Sequence, residues 1–202
     1  MAIRWLLRRL IILSEAEMEK IIDRLKALPK KLSDRAFLRN EGLSNEVGIH
    51  IFCYEPSEQP IVDYFFNDLK NDNTQPFRLI ECNLYKILLE ICEDKRILNQ
   101  IPRMEEQRGK DFLINQLQKI ATPEVFVEKM QYGEMREGDI LLITGVGEVY
   151  PYMRSHKILD NLQHVFEKIP VLMLYPGVFS GQRLDLFGKF VDGNYYRAFN
   201  LI

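Results

Sequence analysis

The sequence predicts a single α/β domain in which helices flank both faces of a mainly parallel sheet. Short apolar runs rich in β-branched and aromatic residues alternate along the chain with segments whose apolar residues recur every three or four positions. The 202 residues are 47% hydrophobic and 28% charged, which suits one compact domain rather than a disordered chain. The expected architecture has three layers and is P-loop-like, but without a Walker A motif.

The first half of the chain contains two predicted strands and the helices beside them. From Met18 onward, apolar residues recur at helical spacing until Pro29, which should bend or end the helix. Asn83 is placed to cap a helix that directly follows a strand. The predicted elements are a helix from Met18, a strand at 47–54, a helix around 61–69, a strand at 77–82 and a helix at 84–92.

The second half continues the alternation. Thr122-Pro123-Glu124 has the composition of a helix start, with proline at the first helical position and an acid near the positive end. A third strand at 139–144 leads through Gly145-Val146-Gly147 into a helix that carries Ile158, Leu159 and Leu162. A fourth strand at 171–175 is expected to end at Pro176-Gly177, and Asp192-Gly193-Asn194 predicts the turn of a final hairpin or strand.

Residues 1–17 stand apart from this pattern. The apolar residues of 1–13 are interrupted by Arg4, Arg8 and Arg9, so the segment is too short and too charged for a transmembrane helix or a secretory signal. An amphipathic helix there would suit a partner groove or a membrane surface. The preferred interpretation is an extension that is flexible or lies upstream of a natural start at Met18, with one domain over 18–202.

Charge and cysteine content limit the classes of partner and the compartment. The 27 Lys and Arg residues and 29 Asp and Glu residues leave a formal charge of -2, without the basic excess of a dedicated nucleic-acid-binding protein. We therefore expect any contact with DNA to be weak or indirect. Cys53, Cys82 and Cys92 are odd in number and show no CxxC spacing, which predicts buried, reduced thiols in a cytoplasmic protein.

No sequence motif identifies a catalytic site. Neither Gly-Lys pair of the chain has the glycine spacing of a Walker A loop. His156 and His164 are eight residues apart on one predicted helix, too far to share a metal ion by themselves. His50 and Cys53 point to opposite faces of a strand and cannot form a nucleophile and its base. We expect neither catalysis nor a bound cofactor or metal.

The candidate binding residues lie where the predicted strands end, because ligands of parallel α/β sheets bind at the carboxyl ends of the strands. The Gly145-Val146-Gly147 turn and the following helix could receive a phosphate, although a tight strand-to-helix turn is the simpler explanation. Basic and aromatic side chains nearby could hold phosphate or a partner's carboxylates. The candidate residues are Gly145, Gly147, Tyr152, Arg154, His156, Tyr195, Tyr196 and Arg197.

Four stretches make the sequence resemble the BrxB family of bacterial BREX phage-defence systems. The most specific are residues 142–156 and 192–201, and the other two are residues 45–52 and 88–97. The similarity runs from about Met18 to the C-terminus. The resemblance implies a small accessory subunit, not an enzyme, in a multi-protein system that methylates host DNA and blocks phage replication.

The resemblance also implies a partner, namely PglZ, a protein that resembles alkaline phosphatases, with other BREX components in second place. An adaptor or scaffold that docks PglZ is therefore the first functional hypothesis. A nucleotide- or nucleic-acid-binding module that uses the Gly145-Val146-Gly147 turn is the second hypothesis. Neither the residues nor the resemblance gives the oligomeric state.

Overall fold

The computed structural model describes residues 13–41, 48–162, 164–179, 183–191 and 199–201. The strands are β1 (Ile49–Tyr54), β2 (Arg78–Asn83), β3 (Asp139–Thr144), β4 (Val171–Phe179), β5 (Leu184–Leu186), β6 (Phe190–Val191) and β7 (Phe199–Asn200). The helices are α1 (Glu15–Leu32), α2 (Arg35–Leu38), α3 (Gln59–Asn71), α4 (Leu84–Asp94), α5 (Ile101–Arg108), α6 (Lys110–Ile120), α7 (Pro123–Met130), α8 (Val146–Val149) and α9 (Ser155–Leu162).

The central sheet has the order β2-β3-β4-β1-β7, and each neighbouring pair in this series is parallel. The end of β4 pairs with β5, which pairs with β6, and both of these contacts are antiparallel. After β1 the chain crosses to the far edge of the sheet at β2 and then returns through β3 to β4. The predicted α/β class with a mainly parallel sheet is confirmed.

Each face of the sheet has its own hydrophobic core, which gives the predicted three layers. Helices α1 and α3 cover one face, and helices α4, α6, α7, α8 and α9 cover the other. The first seven residues of β4 are all buried, as expected for a parallel strand that is covered on both sides. Burying a large apolar side chain contributes roughly 1.5–3 kcal/mol, so the two cores supply most of the stabilising free energy.

Helix α1 begins earlier than the sequence analysis predicted. Its N-cap is Ser14, which accepts a hydrogen bond from the Glu17 backbone N–H, while the Glu17 carboxylate accepts from the Ser14 backbone N–H. This capping box starts the helix at Glu15, so residues 15–17 belong to a helix of the domain. The helix also continues past Pro29 to Leu32. Among the described residues, no helix has the length and apolar character needed to cross a membrane.

Strand β4 does not end at Pro176-Gly177, contrary to the prediction. It continues to Phe179, because at Gly177 it leaves its parallel neighbours and pairs with β5. A Cβ atom at Gly177 would overlap the carbonyl oxygen of Asp185, so only glycine permits this close approach. Pro176 occupies the last position that pairs with β1, where its missing N–H disrupts little of the parallel ladder.

The C-terminal region also differs in detail from the prediction. A tight turn at residues 187–189 joins β5 to β6, and Phe187 and Gly188 there have φ angles of 55° and 63°. The turn expected at Asp192-Gly193-Asn194 lies outside the described residues. Helix α9 ends at Leu162, so His164 lies beyond it rather than on the same helix as His156.

A buried carboxylate fixes the start of β3. Asp139 is only 2% exposed and accepts hydrogen bonds from both the Nε and Nη2 atoms of Arg78, each at 2.9 Å. The Tyr132 hydroxyl and the Arg136 backbone N–H also donate to it, at 2.9 and 3.0 Å. Burial by itself would raise the pKa of Asp139, but these hydrogen bonds outweigh that effect and hold the pKa below its ordinary value.

We expect the substitution Asp139→Asn to lower the free energy of unfolding by about 1–3 kcal/mol at neutral pH, because the amide removes the buried charge that pairs with Arg78 and keeps only one acceptor oxygen for the four donors. The folded-state pKa of Asp139 is depressed, so its contribution is complete above the unfolded-state pKa and is lost as pH falls through the folded-state pKa. Urea unfolding of both proteins from about pH 7 to about pH 3 should show the difference shrinking.

The neighbouring carboxylate of Glu137 provides the matched control. It pairs with Arg39 at 3.0 Å, but its side chain is 72% exposed, so Glu137→Gln should leave the urea midpoint nearly unchanged. Equal destabilisation by the two substitutions would contradict the proposed role of the Asp139 carboxylate. So would a loss of unfolding free energy in Asp139→Asn that does not vary with pH.

Candidate functional site: an aromatic surface at the strand ends

The carboxyl ends of three strands meet at one edge of the sheet, as predicted. Because β1, β2 and β3 lie in one parallel sheet, Tyr54, Asn83 and Thr144 all end at that edge. Asn83 caps α4 by accepting a hydrogen bond from the Lys86 backbone N–H at 3.0 Å, which confirms the predicted cap. The segment after Thr144 and the β5–β6 turn lie together at this edge and form the candidate site.

Gly145 is required by backbone conformation and by packing. Its φ is 72°, in the left-handed region, and it is the N-cap of α8. A Cβ atom there would lie 2.6 Å from the Asn83 Oδ1 atom, which already serves as the cap of α4. The glycine therefore allows two helix starts to lie side by side, as expected for a tight strand-to-helix turn.

Gly147 faces protein rather than open space. A Cβ atom there would lie 3.0 Å from the Cε1 and Cζ atoms of Phe187 and 3.2 Å from the Pro176 Cγ atom. The β5–β6 turn thus packs directly against Gly147 through its Phe187 ring. Helix α8 has only four residues, so the turn offers little of the helix dipole that binds phosphate in related folds.

Beyond α8 the chain builds a cluster of three rings and a guanidinium, which we call the aromatic surface and define as Tyr150, Arg154, Phe187 and Phe190. The Tyr150 and Phe190 ring centroids lie 5.0 Å apart, and those of Phe187 and Phe190 lie 6.4 Å apart at near right angles. The Arg154 guanidinium lies 6.0 Å from the Tyr150 centroid. These distances are favourable for aromatic and cation–π contacts, yet Phe190 remains 46% exposed.

Tyr152 points into a separate apolar groove, of ≈ 180 Å³, between α4 and α5. Burial raises the pKa of its hydroxyl, and the nearby Glu105 and Tyr85 add to the effect. Tyr85, at the rim, is 38% exposed. The groove is apolar apart from the two tyrosine hydroxyls, and its other lining residues are Leu88, Leu89, Cys92, Leu98, Ile101, Pro102 and Leu117.

A polar crevice of ≈ 260 Å³ lies at the same sheet edge, on the α3 side. Several of its side chains already pair with one another: Lys70 contacts Glu81 at 2.6 Å, and the Thr144 hydroxyl donates to Glu81 at 3.0 Å. Burial would raise the pKa of Glu81, but the hydrogen bonds from Lys70 and Thr144 lower it overall. Lys86 and Glu148 also line the crevice.

The structure groups some of the predicted site residues and separates others. Arg154 belongs to the aromatic surface, and Gly147 lies against its Phe187 ring, whereas Gly145 lies against Asn83 and lines the polar crevice. Tyr152 faces the apolar groove, and His156 is half-buried in the first turn of α9. The remaining three predicted residues, Tyr195, Tyr196 and Arg197, lie outside the described residues.

Sequence reasoning missed Phe187 and Phe190 as site residues. Both are aromatic and flank Gly188-Lys189, a turn-like pair that follows the β5 segment, so a local signal existed. The signal was insufficient because the position of this turn depends on the pairing of β4 with β5 at Gly177, where Pro176-Gly177 predicts the end of β4.

The three cysteines are free and buried, as predicted. Burial raises the pKa of the Cys53 and Cys82 thiols to about 12 and also raises that of Cys92, so these thiols are protonated at neutral pH. Burial, together with Lys31, lowers the pKa of His50 to about 4. The His50 ring packs on Phe37, on the sheet face opposite to Cys53, as expected.

We expect Gly147→Ala to lower the free energy of unfolding by roughly 1 kcal/mol, because the added methyl group must displace the Phe187 ring. The control is Gly133→Ala, where a Cβ atom would meet nothing within 4 Å. Urea unfolding should show little effect of the control. Equal stability of both variants would indicate that the packing of Phe187 against Gly147 does not stabilise the protein.

Comparison with known proteins identifies the family. The family model described as BREX protein BrxB matches residues 80–201. A BREX protein BrxB from Bacillus cereus (strain H3081.97) is 38% identical over 192 residues, which cover 92% of this chain and 99% of that protein. A BREX protein BrxB from Escherichia coli O9:H4 (strain HS) is 29% identical over 189 residues, which cover 89% of this chain and 90% of the relative.

No solved structure shows a significant match to the chain. The family match spans more than half of the sequence and includes β3, α8 and the β5–β6 turn, and hence the whole aromatic surface. The chain belongs to the BrxB family of BREX proteins.

Proposed function

We propose that this chain is a non-enzymatic adaptor subunit of a BREX phage-defence system and that it binds a PglZ-like protein. Its relatives are named as BREX proteins, which supports membership in such a system. The identity of the partner rests on the resemblance of the sequence to the BrxB family, which implies PglZ as the partner. The aromatic surface is the structural feature that favours a role in binding.

The observation that carries the proposal is the exposure of Phe190 within a pre-formed ring cluster. Its 46% exposed side chain packs against the Tyr150 ring in a tilted arrangement, and the Arg154 guanidinium also lies over that ring. Tyrosine and arginine are typical of the residues that supply most of the binding free energy at protein interfaces. Rings that are already held in place also lose little conformational entropy on binding.

The chemistry of the described groups favours binding over catalysis. The aromatic surface presents rings and a guanidinium, which recognise partners, and the three thiols are buried and protonated. In the polar crevice, Lys70 and Thr144 are already engaged with Glu81. The nucleotide hypothesis gains no support from the glycine turn, because Phe187 covers Gly147.

The direct test is size-exclusion chromatography with light scattering on this chain, on the PglZ-like protein of the same gene cluster, and on their mixture. We expect a complex of defined stoichiometry that elutes before either component. Separate elution at low and at physiological salt would contradict the adaptor proposal. Calorimetry with nucleotide would then test the second hypothesis.

Single substitutions should locate the interface. Phe190→Ala removes the exposed ring of the aromatic surface and should weaken the complex by about tenfold or more, the effect expected for an interface hot spot. Tyr152→Ala tests whether the interface extends into the apolar groove. The matched control is Tyr64→Ala on α3, because Tyr64 is 77% exposed but lies outside both features.

Affinities of these variants can be measured by calorimetry once circular dichroism has shown that each variant melts like the parent protein. The Tyr64→Ala variant should bind as the parent does. If Tyr64→Ala weakened the complex and Phe190→Ala did not, the aromatic surface would be excluded as the interface.

A further inference from the structure

We propose that the segment of the partner that covers the aromatic surface is acidic. This inference rests on the adaptor function proposed above and specifies the chemistry of the occupant. It follows from the charges around the exposed rings and from the directions in which the neighbouring carboxylates point.

Two exposed cations belong to the segments that carry the rings. Arg154 is exposed and lies over one side of the Tyr150 ring, and Lys189 is exposed in the turn immediately before Phe190. An arginine guanidinium can bind a carboxylate through two parallel hydrogen bonds, and its stacking on a ring orients it for this role. The rings and cations together fit a segment that carries both apolar and acidic side chains.

Among the described residues of the segments that build this surface, there are two carboxylates, and both face elsewhere. Glu148, on α8, lines the polar crevice. Asp185 and Leu186 are consecutive in β5 and therefore point to opposite faces of the small sheet. Since Leu186 pairs with Phe190 and lines the pocket beside Tyr150, Asp185 points away from the aromatic surface.

The surface is therefore locally positive although the whole chain has a formal charge of -2. An uncharged partner segment would leave Arg154 and Lys189 partly desolvated without compensation, which costs free energy at an interface. An acidic segment provides that compensation, and it also accelerates association through long-range attraction.

Nucleic acid is also acidic, but the surface suits it less well. Binding to a phosphate backbone depends on many Lys and Arg contacts, whereas the described surface has two cations around a core of three rings. An exposed apolar ring such as Phe190 is better matched by apolar side chains of a protein segment.

The test is the double charge reversal Arg154→Glu with Lys189→Glu, measured by calorimetry against the PglZ-like protein of the same gene cluster. We expect the dissociation constant to rise by about tenfold or more at about 50 mM salt. We also expect its dependence on salt between about 50 and about 300 mM to be weaker than for the parent protein.

The control is the double reversal Lys26→Glu with Lys30→Glu, which changes the net charge equally but lies on α1, on the opposite face of the sheet. It should leave the dissociation constant within about twofold of the parent value, because charges beyond a Debye length are screened. Circular dichroism melting curves should show that both double variants remain folded.

The outcomes separate this inference from the adaptor function. If the Arg154/Lys189 variant bound with the affinity and the salt dependence of the parent protein, the acidic occupant would be overturned and the adaptor function would stand. If the Arg154/Lys189 variant lost binding to a short DNA duplex that the parent protein binds, while its complex with the PglZ-like protein stayed intact, the surface would be assigned to nucleic acid. That result would overturn the inference. Absence of a complex with the parent protein would overturn both proposals.

Discussion

The close approach of β5 to β4 at Gly177 is the constraint on which the candidate site depends. A side chain at this position would overlap the carbonyl oxygen of Asp185, so any other residue would force the two strands apart. The Phe187 backbone N–H donates to the Pro176 carbonyl oxygen at 2.8 Å and fixes the start of the turn. This pairing directs the β5–β6 turn back over the end of the parallel sheet.

Strand β4 therefore takes part in two kinds of pairing, a parallel one with β1 and β3 and an antiparallel one with β5. Its first residues lie in the middle of the parallel sheet, buried on both faces, and supply much of the stability of the domain. Its last three residues pair with β5 and carry the turn that presents Phe190. The buried core anchors one end of the turn, and Phe187 packs against Gly147. These contacts can hold the Phe190 ring in a fixed position although it is not buried.

The sequence was sufficient to predict the elements whose signals are local. Strands β1, β2 and β3 follow from apolar runs, and the Asn83 cap follows from a short polar residue before a helical stripe. The Ser14 capping box is an equally local signal, but it lies before Met18, where the apolar pattern predicts the helix to begin. The extension of β4 past Pro176 is not evident from the sequence, although its partner β5 follows closely in the chain, because a Pro-Gly pair usually marks the end of a strand.

The glycine turn of this chain differs from the glycine turns of phosphate-binding α/β folds. In phosphate-binding folds, glycines after a strand leave backbone N–H groups open to the ligand. Here Gly145 accommodates Asn83, and Gly147 accommodates Phe187, so both absent side chains make room for protein atoms. The strand-end edge consequently presents side chains rather than backbone amides. Rings and cations on that edge are better suited to protein side chains than to phosphate groups, which favours the proposed adaptor function over nucleotide binding.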